Sequence, residues 1–440
     1  MNCPTGQHFI LPDDPPDIAE RSRAACRAMC AGPIAADDTS VAPADTSGDS
    51  LATVHEAYRR WFGSDYDLGA LDCVLCCAAA EKLGGDPPWL LLVGGSGAAK
   101  TETIVPLHGA GAVAVSTING EAALLSGTSK KDRAKNATGG LLRKIGSRGV
   151  LVIKDVTSIL SMNRDTRALV LAALREIYDG QWSRNVGTDG GQTLTWRGRV
   201  VIIGGVTTAW DRAHEVVSTM GDRFVLVRLT SERDARKSAS RQAMRNVDAE
   251  TDMRAELAKV VGELLYTVDA AAVVWLTEAE QDTLLEVADL VTRARTAVER
   301  DYSGNPLWAH ALEMPTRFAK QLAQIVRGGI ALGKQRDEAV RVALRCAADS
   351  VPPLRLAVLA DVAAHARTPT ADVVKRCQLP RSTVDRTLQE LHLLGLLVVG
   401  EIPHGQHSVR WAYSLAADVG AELVEAFTRN VSTPEKEPPR

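Results

Sequence analysis

Trp89-Leu-Leu-Leu-Val93-Gly94-Gly95-Ser96-Gly97-Ala98-Ala99-Lys100-Thr101 decides the reading of this chain. An apolar, β-rich run enters a glycine-rich loop, Lys-Thr follows, and a helical pattern begins. A nucleoside triphosphate needs several backbone N–H groups converging on its phosphates and a helix N-terminus behind them. It also needs a reaching cation and a hydroxyl that can hold magnesium. Gly94, Gly95, Ser96, Gly97, Ala98 and Ala99 supply the loop, Lys100 the cation and Thr101 the hydroxyl. The spacing is that of G-x-x-x-x-G-K-S/T, with Ala99 standing where the last glycine usually is. Alanine costs little there if its φ is negative. The expected ligands are a nucleoside triphosphate and Mg2+.

A second acid for the ion belongs at the end of another buried strand, and Val150-Leu-Val-Ile-Lys154-Asp155 supplies it. Lys154 precedes Asp155 and Val156 follows, so only one carboxylate stands at this position. Asp155 either joins Thr101 at the metal or acts on the attacking water. Nucleotide binding is better supported than fast hydrolysis.

Working outward, short apolar runs alternate with helical stretches from Trp89 to about Leu229, the pattern of a mostly parallel α/β sheet. The runs are Trp89–Val93, Ala112–Val115, Gly149–Ile153, Arg199–Ile203 and Phe224–Leu229. Two helices, about 51–62 and 68–83, come first. Residues 1–50 hold eight acids, three arginines and six prolines with few large apolar side chains, so this segment is expected to be disordered. Residues 231–351 read as helical, with a capping box at Thr277-Glu-Ala-Glu280 ahead of a periodic run to about Tyr302. Residues 352–417 read as three helices and a hairpin, and 418–440 as a tail.

The 440 residues carry 45% hydrophobic and 24% charged side chains, ordinary for a globular chain of several domains. No run approaches the roughly 18 apolar residues of a membrane span, and the N-terminus lacks the basic start of a secretion signal. A cytoplasmic protein with no membrane partner is expected. The eight cysteines then read as reduced thiols. Cys73-Val-Leu-Cys76-Cys77 lies in an apolar helical pattern and reads as buried packing rather than a zinc site.

With phosphate loop and acid in place, the chain resembles the AAA+ ATPases over about residues 86–345. Arg199-Val-Val-Ile-Ile-Gly-Gly-Val206 ends in Thr207-Thr208, where that family places its polar sensor-1 residue beside the γ-phosphate. Ser218-Thr-Met-Gly-Asp-Arg223-Phe224 is similar to the family's helix-end Arg-Phe, which makes Arg223 a candidate arginine finger toward a neighbouring subunit. Met314-Pro-Thr-Arg317 resembles the start of the lid's third helix, with Arg317 as sensor 2. The resemblance thus implies ATP as the nucleotide, a parallel-sheet core, 51–230, a helical lid, 231–351, and a homo-oligomeric ring.

Leu174–Gly187 and the stretch after it read as helix, hairpin and sheet strand. This is similar to the pre-sensor-1 hairpin clade of MCM-like helicases and bacterial enhancer-binding activators. That clade also inserts a loop ahead of the acid-bearing strand, and Ser126–Gly149 occupies the place. The activators' GAFTGA motif is absent.

The net charge of −3 averages opposed segments: −5 in the first fifty residues against +6 over Thr128–Arg148. The basic residues there are Lys130, Lys131, Arg133, Lys135, Arg143, Lys144 and Arg148, a candidate contact surface for a DNA backbone. The C-terminal module resembles MarR/IclR-type winged helices. Arg381, Ser382, Thr383 and Arg386 would lie on the recognition helix and Arg410 on the wing. A DNA-acting motor is expected. A nucleotide-switched transcriptional regulator, or a helicase loader with little turnover, is the alternative.

Overall fold

The computed structural model describes residues 46–127, 138–187, 190–211, 223–229, 233–403 and 408–428. The expectation of disorder before residue 46 lies outside them. Helices α1 (Thr46–Phe62) and α2 (Leu68–Ala79) precede β1 (Leu90–Val93), which leads through the glycine loop into α3 (Lys100–Ile104). Then come β2 (Val113–Val115), the short helices α4 (Glu121–Leu124) and α5 (Leu141–Ile145), and β3 (Arg148–Ile153). Helices α6 (Thr157–Leu160) and α7 (Arg164–Tyr178) lead to the hairpin β4 (Gln181–Val186) and β5 (Gln192–Arg197). Strands β6 (Arg199–Val206) and β7 (Val225–Arg228) complete a five-stranded sheet of order β2-β3-β6-β1-β7, parallel throughout.

The strands are near-continuous apolar runs because both sheet faces are covered. Leu90, Leu92, Val152, Val201, Ile203, Val225 and Val227 pack into one core with α2 and later helices. The alternate residues Leu91, Val93, Leu151, Ile153, Val200, Ile202 and Leu226 pack against α7 and the hairpin residues Trp182, Leu194 and Trp196. Cys73, Cys76 and Cys77 are fully buried in the first core, where burial pushes the Cys76 and Cys77 thiols up.

After the sheet come α8 (Arg233–Arg245), α9 (Glu250–Tyr266) and α10 (Glu278–Arg295), the last opened by the expected Thr277–Glu280 capping box. The helical run expected to reach Tyr302 stops at Thr296, whose backbone is extended. A hairpin follows, β8 (Val298–Arg300) with β9 (Pro306–Ala309). Its turn forms because the Asp301 carboxylate accepts from the amides of Ser303 and Asn305, each at 2.8 Å, and Gly304 takes a φ of +79°. Helices α11 (Thr316–Ala331) and α12 (Arg336–Asp349) close this region. They pack directly on α2 and the sheet rather than in a separate layer: the β-carbon of any residue replacing Gly328 would lie 2.0 Å from the Cys76 carbonyl oxygen.

Strand β7 is held on both sides. Val225 donates to the Trp89 carbonyl just before β1 and Leu229 to that of Val93, while the alternate amides of Leu226 and Arg228 donate to Ser350 Oγ at 2.9 Å and Asp349 Oδ2 at 2.8 Å.

The last region comprises α13 (Pro353–Ala364), β10 (Thr368–Pro369), α14 (Thr370–Cys377), α15 (Arg381–Leu393), β11 (Leu397–Pro403) and β12 (Val409–Leu415). The strands form a small antiparallel sheet, order β10-β12-β11. The tail expected from residue 418 is in part a helix, α16 (Ala421–Thr428), because Val424 and Phe427 are fully buried in the core it shares with α13. Among the described residues, no helix is long and apolar enough to cross a membrane.

Candidate functional site

Gly94 donates its amide to Val206 at 3.1 Å, and the chain turns from β1 into the loop. A β-carbon added at Gly95 or Gly97 would meet nothing within 4 Å, so the space over the loop is open. Gly97 has a φ of +79°, and Ala99 stands at φ 55°, ψ 16°. The condition under which alanine would cost little there, a negative φ, is not met. The loop forces the left-handed conformation at its last position, at a cost of about 1–2 kcal/mol for a residue with a β-carbon. Lys100 opens α3, and its ammonium folds back to donate to the carbonyls of Gly94 at 2.7 Å and Gly95 at 2.6 Å. No side chain caps α3, which leaves its first amides to water or to an anion seated in the loop.

At the same sheet end, Lys154 and Asp155 donate their amides to Val115 and Ser116 of the neighbouring β2 strand and its continuation, at 2.9 and 3.0 Å. The Asp155 carboxylate is exposed, and its Oδ1 accepts from the Thr157 amide at 2.9 Å. The Thr157 hydroxyl accepts from the Thr207 amide at 3.1 Å and lies 3.4 Å from the Thr207 hydroxyl. Because β6 lies between β1 and β3, it delivers Thr207 and Thr208 between Lys100 and Asp155. Gly205 permits that spacing: a β-carbon there would be 2.7 Å from the Lys154 carbonyl oxygen and 3.7 Å from Lys100 Cβ. Burial draws the Lys100 ammonium below its ordinary value, while the Asp155 carboxylate pulls it the other way. The open cradle, with the Thr101 hydroxyl and Asp155 carboxylate as hard oxygen donors, fits a phosphate chain carrying magnesium.

Two residues at this sheet end escaped sequence reasoning. Asp211 lies three residues beyond Thr208, and its carboxylate takes both terminal nitrogens of Arg228 at 2.7 and 3.0 Å. The signal available was an arginine closing the otherwise apolar strand Val225–Arg228.

Arg223 and Arg317 are brought together, but at the opposite end. Arg223 precedes β7, packs over the Tyr178 ring at 5.5 Å and donates to Asp179 at 3.3 Å. Burial lowers its pKa, and the nearby Arg317 charge adds to that. Arg317 pairs with Glu313 at 2.8 Å, and one turn later Gln321 accepts from the Trp89 amide at 3.3 Å, just before β1. The length of β1, roughly 13 Å for four residues, separates both arginines from the loop of their own chain.

Lys130, Lys131, Arg133 and Lys135 lie outside the described residues. Arg143 and Lys144 are exposed on α5. Arg148 is not part of a free basic surface: its guanidinium grips Glu81 and the Leu83 carbonyl, the latter at 3.0 Å. The hairpin braces the start of the insert, with Arg184 reaching Glu121 at 2.8 Å and the Leu125 carbonyl at 3.1 Å.

On α15, Arg381 and Ser382 are exposed, and Thr383 is half-buried. Arg386 does not join them as a free donor, because it is held by the Ser303 carbonyl of the β8–β9 turn at 2.7 Å. Deeper, the buried Glu390 receives Arg355 at 3.0 Å and Arg300 at 2.7 Å. Arg410 is half-buried on β12.

Comparison with family models finds no match for this chain, and comparison with curated proteins finds no relative.

Proposed function

We propose that this chain is a cytoplasmic ATP-binding P-loop ATPase of AAA+ type that works on DNA as a homo-oligomer, with a winged helix at its C-terminus. The observation that carries the reading is the gathering of Lys100, Thr101, Asp155 and Thr207 at one end of the parallel sheet by the order β3-β6-β1. Lys100 would exchange its loop carbonyls for phosphate oxygens, and the loop amides would hold the remaining charge. Thr101 and Asp155 would hold magnesium, which supplies charge neutralisation on the β/γ oxygens. Thr207 or Thr208 would orient the group at the γ-phosphate.

Arg223 and Arg317 lie about the length of β1 from their own loop, so a role at a phosphate would be one toward a neighbouring copy, and the buried Arg223 would first have to leave Tyr178 and Asp179. Assembly as a ring, with hydrolysis moving the insert and hairpin on DNA, rests on the sequence resemblance.

A second reading, an ATP-binding loader or nucleotide-switched regulator with slow turnover, is favoured by Lys154-Asp155-Val156, which puts only one carboxylate at the end of β3. ATP binding and turnover, each with and without single-stranded DNA, for wild type and Lys100→Ala, test the two. Stimulation by DNA supports the motor. Binding with little turnover supports the second reading. A wild type that binds no ATP overturns both.

A further inference from the structure

The Asp211–Arg228 pair crosses the root of the phosphate loop. Strand β1 is flanked by β6 and β7. Asp211 sits on the chain leaving β6, Arg228 closes β7, and Arg228 is in register with Val93, the last residue of β1 before Gly94. Joining them therefore means spanning the strand that carries the loop, about 10 Å between the two flanking strands. We propose that this pair is a strap that positions the Thr207–Thr208 turn for turnover of the bound nucleotide. The inference rests on the nucleotide reading above and adds two positioning residues to it.

Four observations support the strap. The turn is short and already folded: Trp210 and Asp211 donate their amides back to Thr207 and Thr208 at 3.0 and 3.2 Å, so fixing Asp211 fixes both hydroxyl-bearing residues. The contact is bidentate, the geometry in which a guanidinium constrains orientation as well as distance. Arg228 is itself anchored, its Nε donating to the Asp349 carbonyl and its amide to the Asp349 carboxylate, each at 2.8 Å. The line continues to Arg345, which donates to the Arg228 carbonyl at 3.1 Å and takes Asp67 in two bonds of 2.6 Å. Anions and cations thus alternate from the sensor turn through α12 to the start of α2.

The test uses full-length Asp211→Asn, Arg228→Gln and Arg228→Lys, with a fluorescent ATP analogue for binding and phosphate release for turnover. The strap predicts that kcat falls between about tenfold and about 100-fold in the Asn and Gln variants, the scale of a misplaced catalytic group. It also predicts that analogue affinity stays within about threefold, that Lys recovers part of kcat, and that the double variant is no worse than either single. If Arg228→Gln does not fold, the isosteric Asp211→Asn carries the test. Turnover equal to wild type in both neutral variants overturns the strap, as does loss of binding in parallel with turnover. A wild type that binds ATP without turning it over overturns the strap alone. A wild type that binds none overturns the nucleotide reading with it.

Discussion

The ammonium of Lys100 lies 2.7 Å from the carbonyl of Gly94, so the loop is closed by its own cation. Gly95 is exposed, so water can replace the ammonium at its carbonyl, whereas Gly94 is buried. Lys100→Ala should therefore cost no more than about 1–3 kcal/mol of stability, the penalty for one buried acceptor left short of a partner. ATP affinity should fall at least about tenfold, because a charge-assisted contact to phosphate is lost. Calorimetric titration with ATP, together with urea unfolding, checks both halves, and unchanged affinity would refute the assignment of Lys100.

Ala99 is strained where glycine would not be. Relief of the left-handed penalty is worth about 1–2 kcal/mol, and the extra chain entropy of glycine takes back about 0.4–1 kcal/mol. Ala99→Gly should thus stabilise the protein by about 0.5–1 kcal/mol. Ala99→Val, branched at the β-carbon, should destabilise it. A glycine variant less stable than wild type in urea unfolding would show that the loop does not hold Ala99 at positive φ.

The sheet was legible because its residues obey local rules. The five apolar runs are strands, displaced by at most a few residues at their ends, and the glycine loop falls between β1 and α3 as its composition dictates. The capping box at Thr277 was legible for the same reason. What the sequence concealed depends on distant partners. The run after Arg295 keeps helical periodicity but becomes a hairpin, because the Asp301 carboxylate finds the amides of Ser303 and Asn305 and closes a turn. Arg386 has the spacing of a base-reading side chain, yet its partner lies 83 residues away on that hairpin. Asp211 and Arg228 carry no motif, and only the strand order brings them over the loop.

Asp349 is fully buried beneath β7, and burial pushes its carboxyl up to about 6 against the pull of Arg345 and Arg228. An acid whose folded pKa lies above its unfolded value of about 3.9 holds its proton more tightly when folded. Its contribution to stability is therefore complete below about pH 4 and lost as the pH rises through about 6. Measured against Asp349→Asn, which keeps an acceptor for the Arg228 amide, wild type should lose about 2–3 kcal/mol of unfolding free energy between about pH 4 and pH 7. Parallel pH profiles for the two proteins would contradict this.

Arg381 and Arg386 should separate in DNA binding although they are five residues apart on one helix. Arg381 is exposed, and its removal should weaken DNA binding and reduce the salt slope by about one. Arg386→Ala should leave the salt slope unchanged and instead raise hydrogen exchange in the β8–β9 turn, whose Ser303 carbonyl it holds. Equal effects of the two on the salt slope would mean that the contact with Ser303 gives way to DNA.

The outward amides of β7 are spoken for: Leu226 by the Ser350 hydroxyl and Arg228 by the Asp349 carboxylate. A sheet edge finished in this way offers no template to an incoming strand. Copies of this chain cannot associate there by extending one another's sheets. The end of α12 that covers β7 is closed as well, because Cys346, Ala347, Ala348 and Asp349 are all buried, so neither the ladder nor its cover is open to a neighbouring chain.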